Sequence, residues 1–358
     1  MKTSTICLTV STLLLASCAA KSPSAEAVTP TTAPAVAQPA APSAPATSTT
    51  LAEQGRDPAE FPAFVETLKA QARSQGIREA TISAAFANVH FVDRVIKSDR
   101  NQLEKKITLD DYLARVITPA KVEEARTLHQ QYQPQLAPIS AHSGVQSNYI
   151  VALWAMESRF GKIQGKEDIV SALSTLAFEG RRQAFFTKEL MSSLKILDRG
   201  HISVDELKGS WAGAMGQNQF MPSSYLRYGA DGDGDGKIDI WKNTSDVFAS
   251  TANYLAKEGW QAGGSWGTEV KLPAGFDANL AGTKTAQGKP VSQWQKLGVT
   301  LPDGLLLPAS SERAWIVTPD DNRGRSFMVY NNFRTIMRWN RSSYFAISIG
   351  TIADAIAR

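Results

Sequence analysis

The stretch GSWAGAMGQNQFMPSSYLRYGADGDGDGKIDIW, residues 209–241, has two unlike halves. The first carries Gly209, Gly213 and Gly216 with Ala212 and Ala214, a backbone that something must approach closely. Two approaches fit: tight packing against a helix, or the floor of a cleft on which a bulky ligand lies. Ser210, Gln217, Asn218 and Gln219 add neutral hydrogen-bonding groups of the kind sugars use. In the second half Asp231, Asp233 and Asp235 stand at positions 1, 3 and 5 of a calcium-loop pattern. Gly236 suits the sharp turn at position 6, Lys237 can offer its backbone carbonyl at 7, and Ile238 and Asp239 follow at 8 and 9. Position 12, where a bidentate Glu belongs, is Lys242. Asp246, at the start of the next helical pattern, can close such a site from a longer loop. The plain alternative is an Asp-Gly turn that holds no ion.

Outward from this stretch the pattern is mainly helical. FPAFVETLKAQARSQG places Phe61, Phe64, Val65 and Leu68 at helical spacing and stops at Gly76. EATISAAFANV and ITPAKVEEARTLHQQYQPQL continue that style. SGVQSNYIVALWAMESRFG predicts a strong helix, with Ser143 as a possible cap and Gly161 as its stop. Another helix starts at Thr244. After Gly259 the texture changes to short β-branched or aromatic runs bounded by Gly, Pro, Asn and Asp, so a small antiparallel β part is expected over roughly 262–332. The C-terminus returns to helix.

The chain of 358 residues is 43% apolar and 20% charged, an ordinary globular composition. A net charge of +4, with Lys and Arg scattered, does not point to nucleic acid. At the N-terminus, Lys2 precedes an apolar run over residues 6–15, too short to span a bilayer and right for a signal-peptide core. It runs into Leu15-Ala16-Ser17-Cys18, which resembles a bacterial lipobox. That resemblance implies a signal peptide over 1–17, cleavage before Cys18 and a lipid anchor on it; an ordinary secretory signal with an incidental Cys is the alternative. Ala19, where Asp would imply inner-membrane retention, favours the outer membrane. Residues 18–55 are rich in Ala, Pro, Ser and Thr and read as a tether, leaving 56–358 as the folded part. With Cys7 leaving in the signal and Cys18 acylated, no pair remains for a disulfide, and the four histidines match no zinc spacing.

Glu157 stands out on its helix. Tyr149 and Leu153, and Ile150 and Trp154, mark an apolar stripe, and Glu157 continues it in the last turn. Desolvation and the negative end of the helix dipole both raise a carboxyl pKa, as a general acid needs near neutral pH. The competing reading is a Glu paired with Arg159 or Lys162 on a solvated face.

Together and in this order, ALWAMESRFGK, the 209–241 stretch, DVFASTANYLAKEGW and FRTIMRWNRSSYFAISIG resemble the membrane-bound lytic murein transglycosylase B family, over roughly 58–358. The resemblance implies an α+β, mainly α fold: a lysozyme-like core with a helical subdomain and a small antiparallel β subdomain around a groove. It implies cleavage of the β-1,4 bond between N-acetylmuramic acid and N-acetylglucosamine without water, leaving 1,6-anhydromuramic ends. Carried over by motif, Glu157 is the acid and base. Ser210, Gln219, Asn340, Tyr254, Arg181 and Arg182 are substrate-binding. Asp231, Asp233, Asp235, Lys237 and Asp246 are implied to hold a structural calcium, with Lys242 a departure from the loop pattern. No organic cofactor is expected. The expected partners are glycan strands and, through Cys18, the outer membrane facing the periplasm of a Gram-negative cell; the expected state is a monomer. The nearest rival is a hydrolytic muramidase, with a second carboxylate facing Glu157. A non-catalytic peptidoglycan-binding lipoprotein and a calcium-dependent structural lipoprotein are the rivals of other classes.

Overall fold

A computed structural model of the chain describes residues 55–100, 107–308, 310–321 and 323–358. The expected signal peptide, Cys18 and all of the tether but residue 55 lie outside the described residues. The helical part opens with α1 (Phe61–Ser74), α2 (Glu79–Phe86) and α3 (Asp93–Arg100). Helix α1 buries Phe61, Val65, Leu68 and Ala72, one face at three- and four-residue spacing. After α4 (Leu109–Val116) come α5 (Pro119–Gln131) and α6 (Gln133–Ser143), separate helices where the sequence pattern runs on. Pro134 explains the break: it begins a helix well and interrupts one badly, and it stands in the first turn of α6.

Helix α7 (Ser147–Ser158) is the centre of the molecule, with Tyr149 to Ala155 all buried. It starts later than its sequence implies. Ser143 is the last residue of α6, Gly144 reverses the chain at φ 72°, and Gln146 is the N-cap of α7. Around α7 pack α5, α6, α11 (Thr244–Lys257) and the C-terminal α14 (Ser343–Ala357). A helical hairpin, α8 (Ile169–Glu179) with α9 (Gln183–Asp198), carries α10 (Pro222–Tyr228) on its flank. A two-residue pair that the sequence does not announce, β1 (Glu167–Asp168) and β2 (Lys208–Gly209), closes the base of the loop that follows.

The β part is a four-stranded antiparallel sheet of β3 (Gly267–Val270), β4 (Lys289–Pro290), β5 (Arg313–Val317) and β6 (Ser326–Val329), in the order β3-β6-β5-β4. With α12 (Val291–Lys296) it encloses its own core of Val270, Val291, Trp294, Val299, Leu307, Ala314, Ile316 and Met328. The sheet is an insertion between α11 and α13 (Asn331–Trp339). Its two ends are stapled together: the buried Asn332 amide accepts from Gln261 N at 2.7 Å and donates to Gln261 O at 2.9 Å. Its far side is tied to α4. Asp320 accepts from Leu109 N at 3.1 Å and from the Tyr344 hydroxyl, and Arg325 joins Glu269 at 2.6 Å to Asp110 at 3.4 Å. The described residues thus form a mainly helical α+β molecule with a small antiparallel sheet inserted among its helices.

Candidate active site

Glu157 is half-buried in the last turn of α7, and its Oε1 accepts from Trp339 Nε1 at 2.8 Å. The helix ends abruptly after it. Arg159, Phe160 and Gly161 all adopt left-handed backbone, at φ 51°, 59° and 80°. Two non-glycine residues there cost about 1 kcal/mol each. The turn is held from inside: Ser158 Oγ accepts from Gly161 N at 2.9 Å, and the Phe160 ring meets Trp154 edge-on at 5.5 Å. Trp154 in turn contacts Tyr132 and Phe248, so an aromatic cluster backs the helix just below the acid.

Trp339 reaches Glu157 because it is itself wedged. Its ring lies 5.1 Å from Phe220 and 4.7 Å from Tyr254, and the Tyr254 hydroxyl donates to Arg338 O at 2.8 Å. Tyr254 is 1% exposed and sits behind the site rather than on its surface. Asn340, the C-cap of α13, is nearly buried and its Oδ1 accepts from Ser342 N at 3.0 Å. Tyr112 from α4 completes this wall. Burial, first, and the Glu157 charge push its hydroxyl pKa up to about 12, while the neighbouring Ser348 works the other way. No sequence pattern singles out Trp339 or Tyr112. Trp339 precedes Asn340 within its motif; Tyr112 stands in no motif, and only the fold brings it under the charge of Glu157.

The small-residue loop packs against protein, which answers the alternatives its composition posed. A Cβ on Gly213 would meet Leu173 at 2.5 Å, one on Gly216 would meet Ile240 at 2.7 Å, and one on Gly209 would meet Ala214 O at 2.2 Å. The loop folds as stacked bridges, Gly209 to Met215 and Met215 to Phe220. Half-buried Ser210 accepts from Ala214 N at 3.0 Å. Gln219 sits at φ 50° and its amide donates to Gln164 O at 3.1 Å and Gly216 O at 2.9 Å, which orients its carbonyl away from both. Gln217 and Asn218 are turned inward and buried, so of the four polar side chains only Ser210 and Gln219 retain exposure.

Glu189 braces the end of this loop. Only 2% exposed, it accepts from Ser223 N at 2.9 Å and Ser223 Oγ at 2.7 Å, capping α10 from α9. Burial raises its pKa above the usual carboxylate value, against the pull of those hydrogen bonds. A raised folded pKa means the folded state holds the proton more tightly. The stability this contributes is full below the unfolded carboxyl pKa and is lost as pH rises through the folded one. The melting temperature of Glu189→Gln should therefore change less than that of the wild type between pH 4 and pH 7; parallel curves would show that Glu189 does not titrate differently on folding.

Arg181 and Arg182 lie elsewhere. They follow the C-terminus of α8, eleven residues and so about 16 Å along that helix from the β1–β2 pair. Both guanidinium groups turn to the buried Asp99, Arg182 at 2.6 Å, and Arg182 also stacks 4.6 Å from the Phe186 ring. The Asp loop is well built but with a smaller acid set than the sequence pattern. Carboxylate oxygens of Asp231, Asp233 and Asp246 lie within 4.8 Å of one another. Asp235 instead accepts from Lys237 N at 2.8 Å, and Lys242 pairs with Glu206. Asp246 is fully buried, accepting from Gly232 N at 2.7 Å and Asp239 N at 2.6 Å. Among the described residues no helix is long and apolar enough to cross a membrane.

Comparison with known proteins places this geometry. Residues 60–354 match the family described as transglycosylase SLT domain. Membrane-bound lytic murein transglycosylase B of Escherichia coli (strain K12) is 33% identical over 253 residues, 69% of this chain and 66% of that relative, so just under two thirds of its length is spanned. Among solved structures, SltB3 from Pseudomonas aeruginosa in complex with NAG-anhNAM-pentapeptide is 40% identical with a TM-score of 0.80, over 83% of this chain and 79% of that one. Escherichia coli Slt35 in complex with calcium is 30% identical with a TM-score of 0.70, over 83% and 92%.

Proposed function

The chain belongs to the transglycosylase SLT domain family, and from that premise we propose that it is a lytic transglycosylase of peptidoglycan with Glu157 as its single acid and base. The observation that carries the reading is one half-buried carboxyl, at the end of the central helix, aimed by the Trp339 indole. Most glycosidases flank the bond with two carboxyl groups. One suffices when the nucleophile belongs to the sugar. Glu157 gives its proton to the glycosidic oxygen between N-acetylmuramic acid and N-acetylglucosamine as the C1–O bond breaks. The muramoyl C6 hydroxyl then closes on C1, and its proton passes to the Glu157 carboxylate, which restores the acid. No water is consumed. An intramolecular hydroxyl reaches effective molarities far above that of water, on the order of 10⁵ M or more. The NAG-anhNAM-pentapeptide bound by SltB3 carries the anhydro end that such a reaction makes.

Ser210 and Gln219 hold the muramoyl N-acetyl group, and Asn340 lines the same wall. Tyr254 acts through Trp339. Arg181 and Arg182, partnered by Asp99, offer positive charge to the glycan or its peptide from the far end of α8. The chain is exported, anchored to the outer membrane through acylated Cys18, and works as a monomer in the periplasm with 18–55 as its tether. Digestion of murein sacculi by the purified protein tests the reaction. Products one water lighter than those of lysozyme, with ends that borohydride cannot reduce, are expected; reducing ends at full mass would mean hydrolysis.

Asp231, Asp233 and Asp246 fit a calcium ion. Asp246 is buried, and desolvation first, then the charges of Asp233 and Asp231, raise its pKa. A cation removes that conflict and braces the loop that leads into α11. Calcium at about 100 times its Kd should stabilise the fold by about 2.7 kcal/mol. The melting temperature should rise on adding calcium, and Asp231→Asn with Asp233→Asn should abolish that rise; equal responses would show that no ion binds there.

A further inference from the structure

We propose that Gln217 is a positioning residue for Glu157, joining the catalytic helix to the exit of the Asp loop. The inference rests on the transglycosylase reading only for the assay that tests it. Gln217 is 6% exposed and every polar atom of its side chain is engaged. Its Oε1 accepts from Trp154 Nε1 at 2.7 Å, three residues before Glu157 on the same helix. Its Nε2 donates to Trp241 O at 3.0 Å, and its backbone N donates to Ile240 O at 2.8 Å. Gln164 repeats the pattern, donating to Trp241 O at 3.1 Å and to Gly161 O at 3.0 Å. The last residues of the Asp loop are therefore bonded to both sides of the acid, before it through Trp154 and after it at Gly161.

The left-handed turn wraps around this amide. A Cβ on Gly161 would lie 2.4 Å from Gln217 Oε1 and 2.7 Å from its Cδ. The glycine that closes the ESRFG motif is thus matched to Gln217, and the strained Arg159 and Phe160 bring the chain to that contact. A neutral amide suits the place because it must accept from an indole and donate to a carbonyl at once. A Glu carboxylate of the same length would accept from the indole but could not donate to the carbonyl. An amide seen in the sequence as a sugar contact is instead the pin between two functional loops.

The test uses the full-length protein on murein sacculi, with wild-type products characterised first. Trp154→Phe keeps an aromatic ring in the cluster but removes the indole donor together with part of the ring volume. It should lower kcat about tenfold or more with KM within about twofold, since a small misplacement of a catalytic group costs that much. Gln217→Leu should do the same, and the double variant should lose little more. Gln217→Glu should recover as pH falls from 7.5 to 5, because the protonated carboxyl regains the donor to Trp241 O; its kcat relative to wild type should climb. A raised KM at unchanged kcat would make Gln217 a sugar contact and overturn the proposal. So would unchanged kcat in folded Trp154→Phe; where neither Trp154→Phe nor Gln217→Leu folds, Gln217→Glu decides, and a kcat relative to wild type that stays flat from pH 7.5 to 5 overturns the proposal. Wild-type reducing ends would instead overturn the transglycosylase reading and leave the kcat comparison valid.

Discussion

Glu157→Gln should abolish release of anhydro products from sacculi, by about 10³-fold or more, while leaving melting temperature and binding to insoluble murein near wild type. The size follows from the double duty of the group. General acid–base catalysis is worth roughly 10²–10⁴-fold for a single proton transfer, and in the proposed reaction one carboxyl performs both transfers. The amide keeps an oxygen to accept from Trp339 Nε1, so the geometry of the wall survives. Nothing in an amide can deliver a proton to a departing glycosidic oxygen. Retained cleavage at a comparable rate would show that another group is the acid. Loss of folding along with activity would show that Glu157 is structural first.

The largest stability effect is expected at Gly165, beside β1. Its φ is +87°, and an added Cβ would lie 2.0 Å from the backbone oxygen of Gly209 and 2.5 Å from Ser210 N. The obstacle is backbone on a strand, with no flexible side chain to swing away. Gly165→Ala should cost about 3–5 kcal/mol, the left-handed penalty plus overpacking, a large share of the roughly 5–15 kcal/mol that holds a typical domain together. Gly76→Ala is the control: φ is +78° with nothing within 4 Å, so only the conformational cost of about 1 kcal/mol applies. Chemical denaturation of both variants separates the two contributions. Equal losses would mean that the β1–β2 pair yields to make room.

These two positions mark what the sequence does and does not disclose. Glu157 continues an apolar stripe, and a carboxyl on such a stripe is legible from periodicity alone. The helices at 61–74 and 244–257 follow from spacing and punctuation, and the family comes from long motifs in a fixed order. Gly165 sits in no striking pattern. Its importance depends on residue 209 lying against it across forty-four positions of chain, and a two-residue ladder leaves no signal in composition. The same limit explains Trp339 and Tyr112, which reach the acid only through the fold. It explains the polar residues of the loop as well. Side chains that look alike in sequence, Gln217 and Gln219, differ because one backbone step turns the first inward. In the Asp loop the calcium-loop spacing picks out Asp231, Asp233 and Asp235, whereas the fold gathers Asp231, Asp233 and Asp246, the last of them outside the pattern.

The staple at the base of the β subdomain has a consequence for how such proteins diversify. Gln261 and Asn332 are seventy-one positions apart yet bonded in both directions, so the chain leaves the helical body and returns to it at one spot. What lies between has its own core. The insert enters and leaves at one hydrogen-bonded doorway, and its far side is held to α4 and α14 through Asp320 and Arg325, so any change in its length must keep both attachments. The carboxyl on α7 and the indole on α13 belong to the helical body, outside the insert. Within those attachments the residues of the insert can change while Glu157 and Trp339 keep their places.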